Sequence, residues 1–129
     1  MRLLPALILT AFAAGGCARA DAQTRPAPIV PVAEAPRDCP LVVSFGSYAM
    51  GIDGSAFAKV SALLARDRGV RTIEQHRWGR EGEVTLCART RGKADARRLY
   101  RAVRAVLPAK PRGPVTVEAG QARFTAPRG

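Results

Sequence analysis

The stretch KADARRLYRAVRAVL, residues 93–107, carries the clearest structural signal in this chain of 129 residues. Its apolar side chains recur every three or four positions, which places them on one arc of an α-helix: Ala96, Leu99, Tyr100, Val103, Val106 and Leu107. The opposite side of that helix carries a basic stripe of Arg97, Arg101 and Arg104. Because Pro108 cannot continue a helix, the pattern predicts an amphipathic helix that ends there.

The residues before this helix predict a strand, a first helix and a hairpin. Residues 41–45 (LVVSF) are a short β-branched run between a proline and a glycine, which is typical of a buried strand. Asp53 offers an N-cap for a helix that extends to about Arg68, with an apolar face of Phe57, Val60, Leu63 and Leu64. Residues 70–78 and 83–89 predict two further strands, joined by a glycine-containing turn.

The residues after residue 107 complete the pattern. Residues 115–117 predict a fourth strand, and Gly120 and Gln121 predict a turn into a short fifth strand through Phe124. The order βαββαβ predicts an α+β fold, a ferredoxin-like sandwich with an antiparallel sheet, two helices on one face and an extra C-terminal strand. In this topology the first and third strands are central neighbours.

Two cysteines, Cys39 and Cys87, fall at the start of the first strand and the end of the third. An isolated pair in an oxidising compartment is most simply a disulfide, and closing this loop contributes about 4 kcal/mol in the chain-entropy model. A reactive thiol or a metal site would need a CxxC motif or a cysteine–histidine cluster, and the sequence has neither. We therefore expect no metal and no cofactor. Strand alternation leaves one conflict, because Cys87 points to the open face whereas Cys39 shares parity with Leu41 and Val43.

The N-terminus has the features of an export signal. A positive start precedes an apolar run over residues 3–14, which small residues and Cys17 follow. The end of this run resembles the lipoprotein box of bacteria, in which the cysteine is lipidated, although an alanine stands where the family usually has leucine. We therefore expect a signal peptide over residues 1–17 with lipidation at Cys17; cleavage after Ala20 or Ala22 is the alternative.

The organisation that follows is a tether and one small domain. Residues 18–38 are rich in proline and alanine and predict a semi-rigid polyproline spacer, which leaves residues 39–126 as a single α+β domain. We expect either an outer-membrane lipoprotein facing the periplasm or a soluble periplasmic protein. Membrane contact is then limited to the lipid anchor.

The formal net charge of +11 favours an anionic partner. Export excludes nucleic acid for practical purposes, and the third strand lacks the stacking aromatics of RNA-recognition domains. The expected partner is therefore peptidoglycan or another anionic envelope polymer. The alternative is that the arginine-rich surface serves only solubility.

Two candidate ligand sites follow from the predicted topology. One end of the sheet gathers three loops and the start of the first helix, an arrangement that attracts anions, with Ser47, Tyr48, Arg80, Lys110 and Arg112. The open sheet face collects Glu74, His76 and Trp78 with Glu83, Thr85 and Cys87, and an exposed tryptophan there can stack on a sugar. The alternative for the loop end is that its glycines serve only as turn residues. The alternative for the open face is that Trp78 and His76 pack under the C-terminal hairpin.

The run VSFGSY, residues 43–48, is similar to the end of the first strand in SPOR domains, where a hydrophobic pair precedes Gly-Ser-aromatic. A signal, a proline-rich tether and a small basic βαββαβ domain also resemble that family by architecture. The resemblance implies binding of denuded peptidoglycan strands on the sheet face. The third strand departs from the family, because it lacks the second glycine-containing motif.

Catalysis is not expected. Ser47 and His76 could be combined with Asp53 or Glu74, but no Gly-x-Ser-x-Gly elbow is present and the chain has one histidine. We therefore expect a non-enzymatic module that binds an anionic or glycan envelope ligand. A structural or assembly module that binds another envelope protein is the alternative, and a small hydrolase is a weaker one.

Overall fold

The computed structural model describes residues 25–128 of the chain. These residues form six strands and two helices: β1 Ile29–Val32, β2 Leu41–Phe45, α1 Gly54–Arg66, β3 Val70–Trp78, β4 Glu83–Thr90, α2 Lys93–Val106, β5 Val115–Ala119 and β6 Ala122–Ala126. The predicted signal peptide over residues 1–17, with Cys17, and the tether as far as residue 24 lie outside the described residues. Every element predicted from residue 39 onward is present, with ends within a few residues of those expected.

All six strands belong to one mixed sheet in the order β1-β3-β4-β2-β5-β6. β1 runs parallel to β3, and every other neighbouring pair is antiparallel. β2 and β4, which are the predicted first and third strands, are neighbours at the centre. The protein is therefore an α+β fold whose six-stranded sheet and two helices are compatible with a ferredoxin-like arrangement.

The hydrophobic core lies between the sheet and the helices. Every second side chain of β2 is fully buried in it, namely Leu41, Val43 and Phe45, because strand side chains alternate between the two faces. Both helices contribute to the same core, through Val60, Leu64, Leu99 and Val103. Both helices therefore pack on one face of the sheet, and within residues 25–128 no helix lies against the other face, which we call the helix-free face.

An ion network joins the end of α1 to α2. The Arg98 guanidinium donates to both carboxylate oxygens of Asp67 at 2.7 Å and to Asp95 at 3.0 Å. Asp67 also accepts the backbone N–H of Gly69 at 2.8 Å. The hydrogen bonds from Arg98 are the main reason that the pKa of Asp67 lies below its usual value.

Part of the expected tether belongs to the folded body instead. Residues 29–32 form β1 at the edge of the sheet, where the N–H of Ile73 donates to Pro28 O at 2.9 Å. Ala27 donates to a carbonyl of α1 at 2.7 Å. Prolines are tolerated on an edge strand because the outer side of its backbone needs no partner. The expectation of a free spacer is therefore corrected for residues 27–32, which belong to the folded body.

Cys39 and Cys87 form the predicted disulfide, with their Cα atoms 5.7 Å apart. Cys87 is fully buried on the helix-free face, opposite Val42 of β2. The expected conflict of parity does not arise, because β2 begins at Leu41 and its alternation does not extend back to Cys39. A left-handed residue, Asp38 at φ 54°, redirects the chain just before the bond.

Candidate functional site

The helix-free face carries an exposed tryptophan that is held by the strands beside it. Trp78, at the end of β3, is 43% exposed. Its indole Nε1–H donates to Thr85 Oγ1 at 3.1 Å, and Thr85 Oγ1 lies 3.0 Å from Ser44 Oγ. These contacts link β3, β4 and β2, so the ring is kept in one orientation while part of it faces solvent.

The strand register confirms which side chains share this face. Directly opposed pairs are Glu74 with Cys87, His76 with Thr85, and Trp78 with Glu83. The C-terminal hairpin, β5 and β6, lies at the other edge of the sheet. The alternative that Trp78 and His76 are packed beneath that hairpin is therefore wrong.

Charges on the helix-free face are largely paired with one another. Arg89 contacts Glu74 at 2.9 Å, and Arg123 contacts Glu118 at 3.1 Å. Arg89 also donates to the carbonyl oxygen of Asp38 at 3.1 Å. This face is consequently not a cationic surface, in contrast to the net charge of +11 on the whole chain.

Three loops meet at the end of the sheet where Trp78 lies, as the topology predicts. The hydroxyl of Ser47, in the loop after β2, donates to the carboxylate of Glu81 in the β3–β4 turn. The N–H of Gly46 donates to the carbonyl of Pro114, in the loop before β5, at 2.8 Å. The remaining predicted side chains of this end are all exposed: Tyr48, Arg80, Lys110 and Arg112.

The anion position at the start of α1 is already occupied by a side chain of the protein. The carboxylate of Asp53, the predicted N-cap, accepts the N–H of Ala56 at 2.9 Å and the N–H of Arg112 at 3.0 Å. Asp53 is only 8% exposed, and these two hydrogen bonds lower its pKa below the usual value. The predicted anion position at the helix terminus is therefore filled by a carboxylate of the protein itself.

The side chains considered for catalysis are each bonded to a different partner. Ser47 is bonded to Glu81, and His76 Nδ1 lies 3.4 Å from the carbonyl oxygen of Val32. Glu74 is held in its ion pair. Among residues 25–128, no hydrogen bond joins Ser47 to His76, so the imidazole is not placed as a base for this hydroxyl.

Within the part of the chain that the structure describes, one group of side chains has the spacing of metal ligands. The ligand atoms of Cys39, Glu74 and Cys87 lie within 4.8 Å of one another. Both sulfur atoms are bonded to each other in the disulfide, and Glu74 is paired with Arg89. The oxidised protein therefore has no thiolate to offer a metal at this position.

Sequence reasoning missed the role of Ser44 and the indole hydrogen bond of Thr85. Period-2 alternation places both on the helix-free face, so the signal was present in the strands. The alternation does not predict the hydrogen bond from the indole N–H to Thr85, because that bond depends on the rotamer of Trp78. A cleft of arginines between α2 and β6 was also missed.

Comparison with protein-family models, with curated proteins and with solved structures finds no match to this chain. Neither α1 nor α2, the two helices of the part that the structure describes, is long and apolar enough to cross a membrane.

Proposed function

We propose that this protein is a non-catalytic binding module for a glycan of the bacterial cell envelope, with Trp78 on the helix-free sheet face as its stacking surface. The observation that carries the proposal is an exposed indole whose N–H is tied to Thr85. A ring fixed before binding loses little conformational freedom on contact with a sugar. Trp is suited to such a surface because it offers a large apolar ring and a polar N–H.

The charges of this face favour a glycan over a purely anionic ligand. Glu74 and Glu118 each have an arginine partner on the face. Ser44 and Thr85 present hydroxyl groups beside the ring, at hydrogen-bonding distance from each other. Stacking on Trp78 with hydroxyl contacts to its neighbours is the chemistry that the sugar rings of a glycan require. Tyr48, in the loop after β2 at the same end of the sheet, is a second exposed aromatic side chain, at 60% exposure.

The proposed ligand is the peptidoglycan strand. Support comes from the SPOR-like run at residues 43–48, the export signal predicted from the sequence, and the Cys39–Cys87 disulfide, which is compatible with an oxidising compartment. We assign the fold as ferredoxin-like, with β2, β3, β4 and β5 as its four strands and with β1 and β6 added at the edges. We also propose export to the periplasm, with lipidation at Cys17 as the anchor.

A second candidate function is a structural module that binds another envelope protein. The observation that favours it is the edge strand β1, where Ile29 is 41% and Val30 is 42% exposed. An exposed apolar edge strand can accept a strand from a partner. Capture of one protein by the wild type, and its loss on Val30→Lys, would support this function.

Fluorescence tests the glycan proposal directly, because Trp78 is the only tryptophan in the chain. Titration of the oxidised protein with soluble peptidoglycan strands should give a saturable change in tryptophan emission. Thr85→Val removes the indole hydrogen bond and should weaken binding several-fold. Thr125→Val on β6, at the far edge of the same sheet, is the matched control and should bind as the wild type does. No change in emission at any strand concentration would contradict the proposal.

A further inference from the structure

A cleft rich in arginine lies on the helix-covered side of the protein, between α2 and the β6 edge. Its lining consists of Arg101, Arg104, Ala105, Phe124 and Arg128, and its volume is about 320 Å³. It is open to solvent. We call it the arginine cleft, and it is separate from the Trp78 face, because Phe124 lies opposite the core residue Val117.

Arg104 is built into the cleft rather than displayed to solvent. The sequence places it in an exposed basic stripe, but its guanidinium carbon lies 4.6 Å from the ring centre of Phe124 and 5.5 Å from that of Tyr100. Its Nε is buried and has no hydrogen-bond partner. Stacking on two rings fixes the plane of the guanidinium, which leaves its donors directed by the protein.

The cleft gathers three positive charges without a counter-charge. Arg128 lies 5.6 Å from the same Phe124 ring, and Arg101 completes the group. No acidic side chain is among the described residues that line the cleft. The ion pairs within residues 25–128 involve Arg89, Arg98 and Arg123 instead. Three like charges in one cleft repel each other, and a multiply charged anion relieves that repulsion.

We propose that the arginine cleft binds a phosphate group, as a diphosphate or a phosphomonoester. Guanidinium groups present planar donor forks that match phosphate oxygens, and a dianion offsets more of the cleft's charge than a carboxylate does. The volume exceeds that of one inorganic phosphate, so part of a larger phosphorylated molecule can enter. The chemistry recognised is the same whether the phosphate belongs to a soluble molecule or to a lipid headgroup.

The test uses the full oxidised chain with two probes, pyrophosphate and vesicles containing phosphatidic acid, whose headgroup is a phosphomonoester. Pyrophosphate is titrated calorimetrically at 0.15 M salt, where surface charge attraction is largely screened beyond about 8 Å. Vesicle binding is measured by flotation against phosphatidylcholine vesicles. Arg104→Gln should weaken binding at least tenfold. Arg97→Gln removes the same charge from the exposed surface of α2 outside the cleft, and should leave binding within twofold.

If Arg104→Gln does not fold, variants of the exposed residues Arg101 and Arg128 test the proposal instead. Their glutamine variants should each weaken binding several-fold without changing the unfolding transition. Binding of pyrophosphate alone identifies a soluble phosphorylated ligand, and binding of vesicles with the same variant pattern identifies a lipid headgroup. Absence of binding to both probes overturns the proposal. An equal loss in Arg97→Gln also overturns it, because the attraction would then be nonspecific.

Discussion

Replacing Cys39 and Cys87 together with alanine should lower the free energy of unfolding by about 4 kcal/mol. The disulfide joins residues 48 positions apart, and a cross-link of that span removes chain entropy from the unfolded state worth about 4 kcal/mol at 25 °C. Small domains have total stabilities of about 5–15 kcal/mol, so this loss is a large fraction of the whole. At about 4–8 °C per kcal/mol for a domain of this size, the melting temperature should fall by roughly 15–30 °C.

Urea unfolding followed by circular dichroism measures this effect. Three samples are compared: the oxidised wild type, the wild type with a reductant, and the double alanine variant. The last two should unfold at nearly the same urea concentration, because both lack the cross-link. A difference below 1 kcal/mol between oxidised and reduced wild type would refute the reasoning, since the bond would then not constrain the unfolded chain.

Three further changes test the fold around the candidate sites. Asp53→Ala should cost about 2–3 kcal/mol in urea unfolding, since it removes the N-cap bond and leaves a second backbone N–H without its acceptor. The pKa of Asp67 in the folded protein lies below its ordinary value of 3.8. Its contribution to stability is therefore present above about pH 4 and is lost as the pH falls through the folded pKa. Arg98→Gln should flatten this acid dependence of the free energy of unfolding. Gly113→Ala should cost about 1–3 kcal/mol, because the new Cβ would lie 2.2 Å from the carbonyl oxygen of Gly46.

Matched controls separate these effects from general changes in composition. Ser55→Ala removes an exposed side chain next to the cap and should leave stability within about 0.5 kcal/mol. Gly54→Ala adds a Cβ with nothing within 4 Å, and should be neutral or stabilising. For the acid dependence, Arg97→Gln removes one positive charge from the same helix without touching Asp67. Equal losses in a variant and its control would contradict the corresponding prediction.

The sequence was sufficient to predict the elements that follow from local patterns. The helix over residues 93–107 has a clear helical period, and residues 41–45 are a short β-branched run between a proline and a glycine. Both elements are present with nearly the expected ends. The N-cap at Asp53 is confirmed, because the chemistry of a cap lies within four residues. The disulfide was predictable because only two cysteines follow Cys17, and because the topology brings them together.

Features that depend on distant parts of the chain were not predictable in this way. Strand β1 exists because Pro28 and its neighbours meet β3, more than forty residues later, and proline content alone favours a free spacer. Arg104 does not extend into solvent with the expected basic stripe, because its guanidinium stacks on the aromatic ring of Phe124. Asp53 was recognised as a cap, but its second bond to the N–H of Arg112 closes the expected anion position from another loop.

Co-sedimentation of the oxidised protein with purified peptidoglycan across a salt series tests the central claim most directly. The proposal predicts retention that persists well above 0.2 M salt and falls at least tenfold in Trp78→Ala, with the unfolding transition unchanged because Trp78 is 43% exposed. Phenylalanine at the same position should restore part of the retention by keeping an aromatic surface. Retention that disappears by about 0.2 M salt, or that is unaffected by the loss of the indole, would contradict a glycan-binding surface at Trp78.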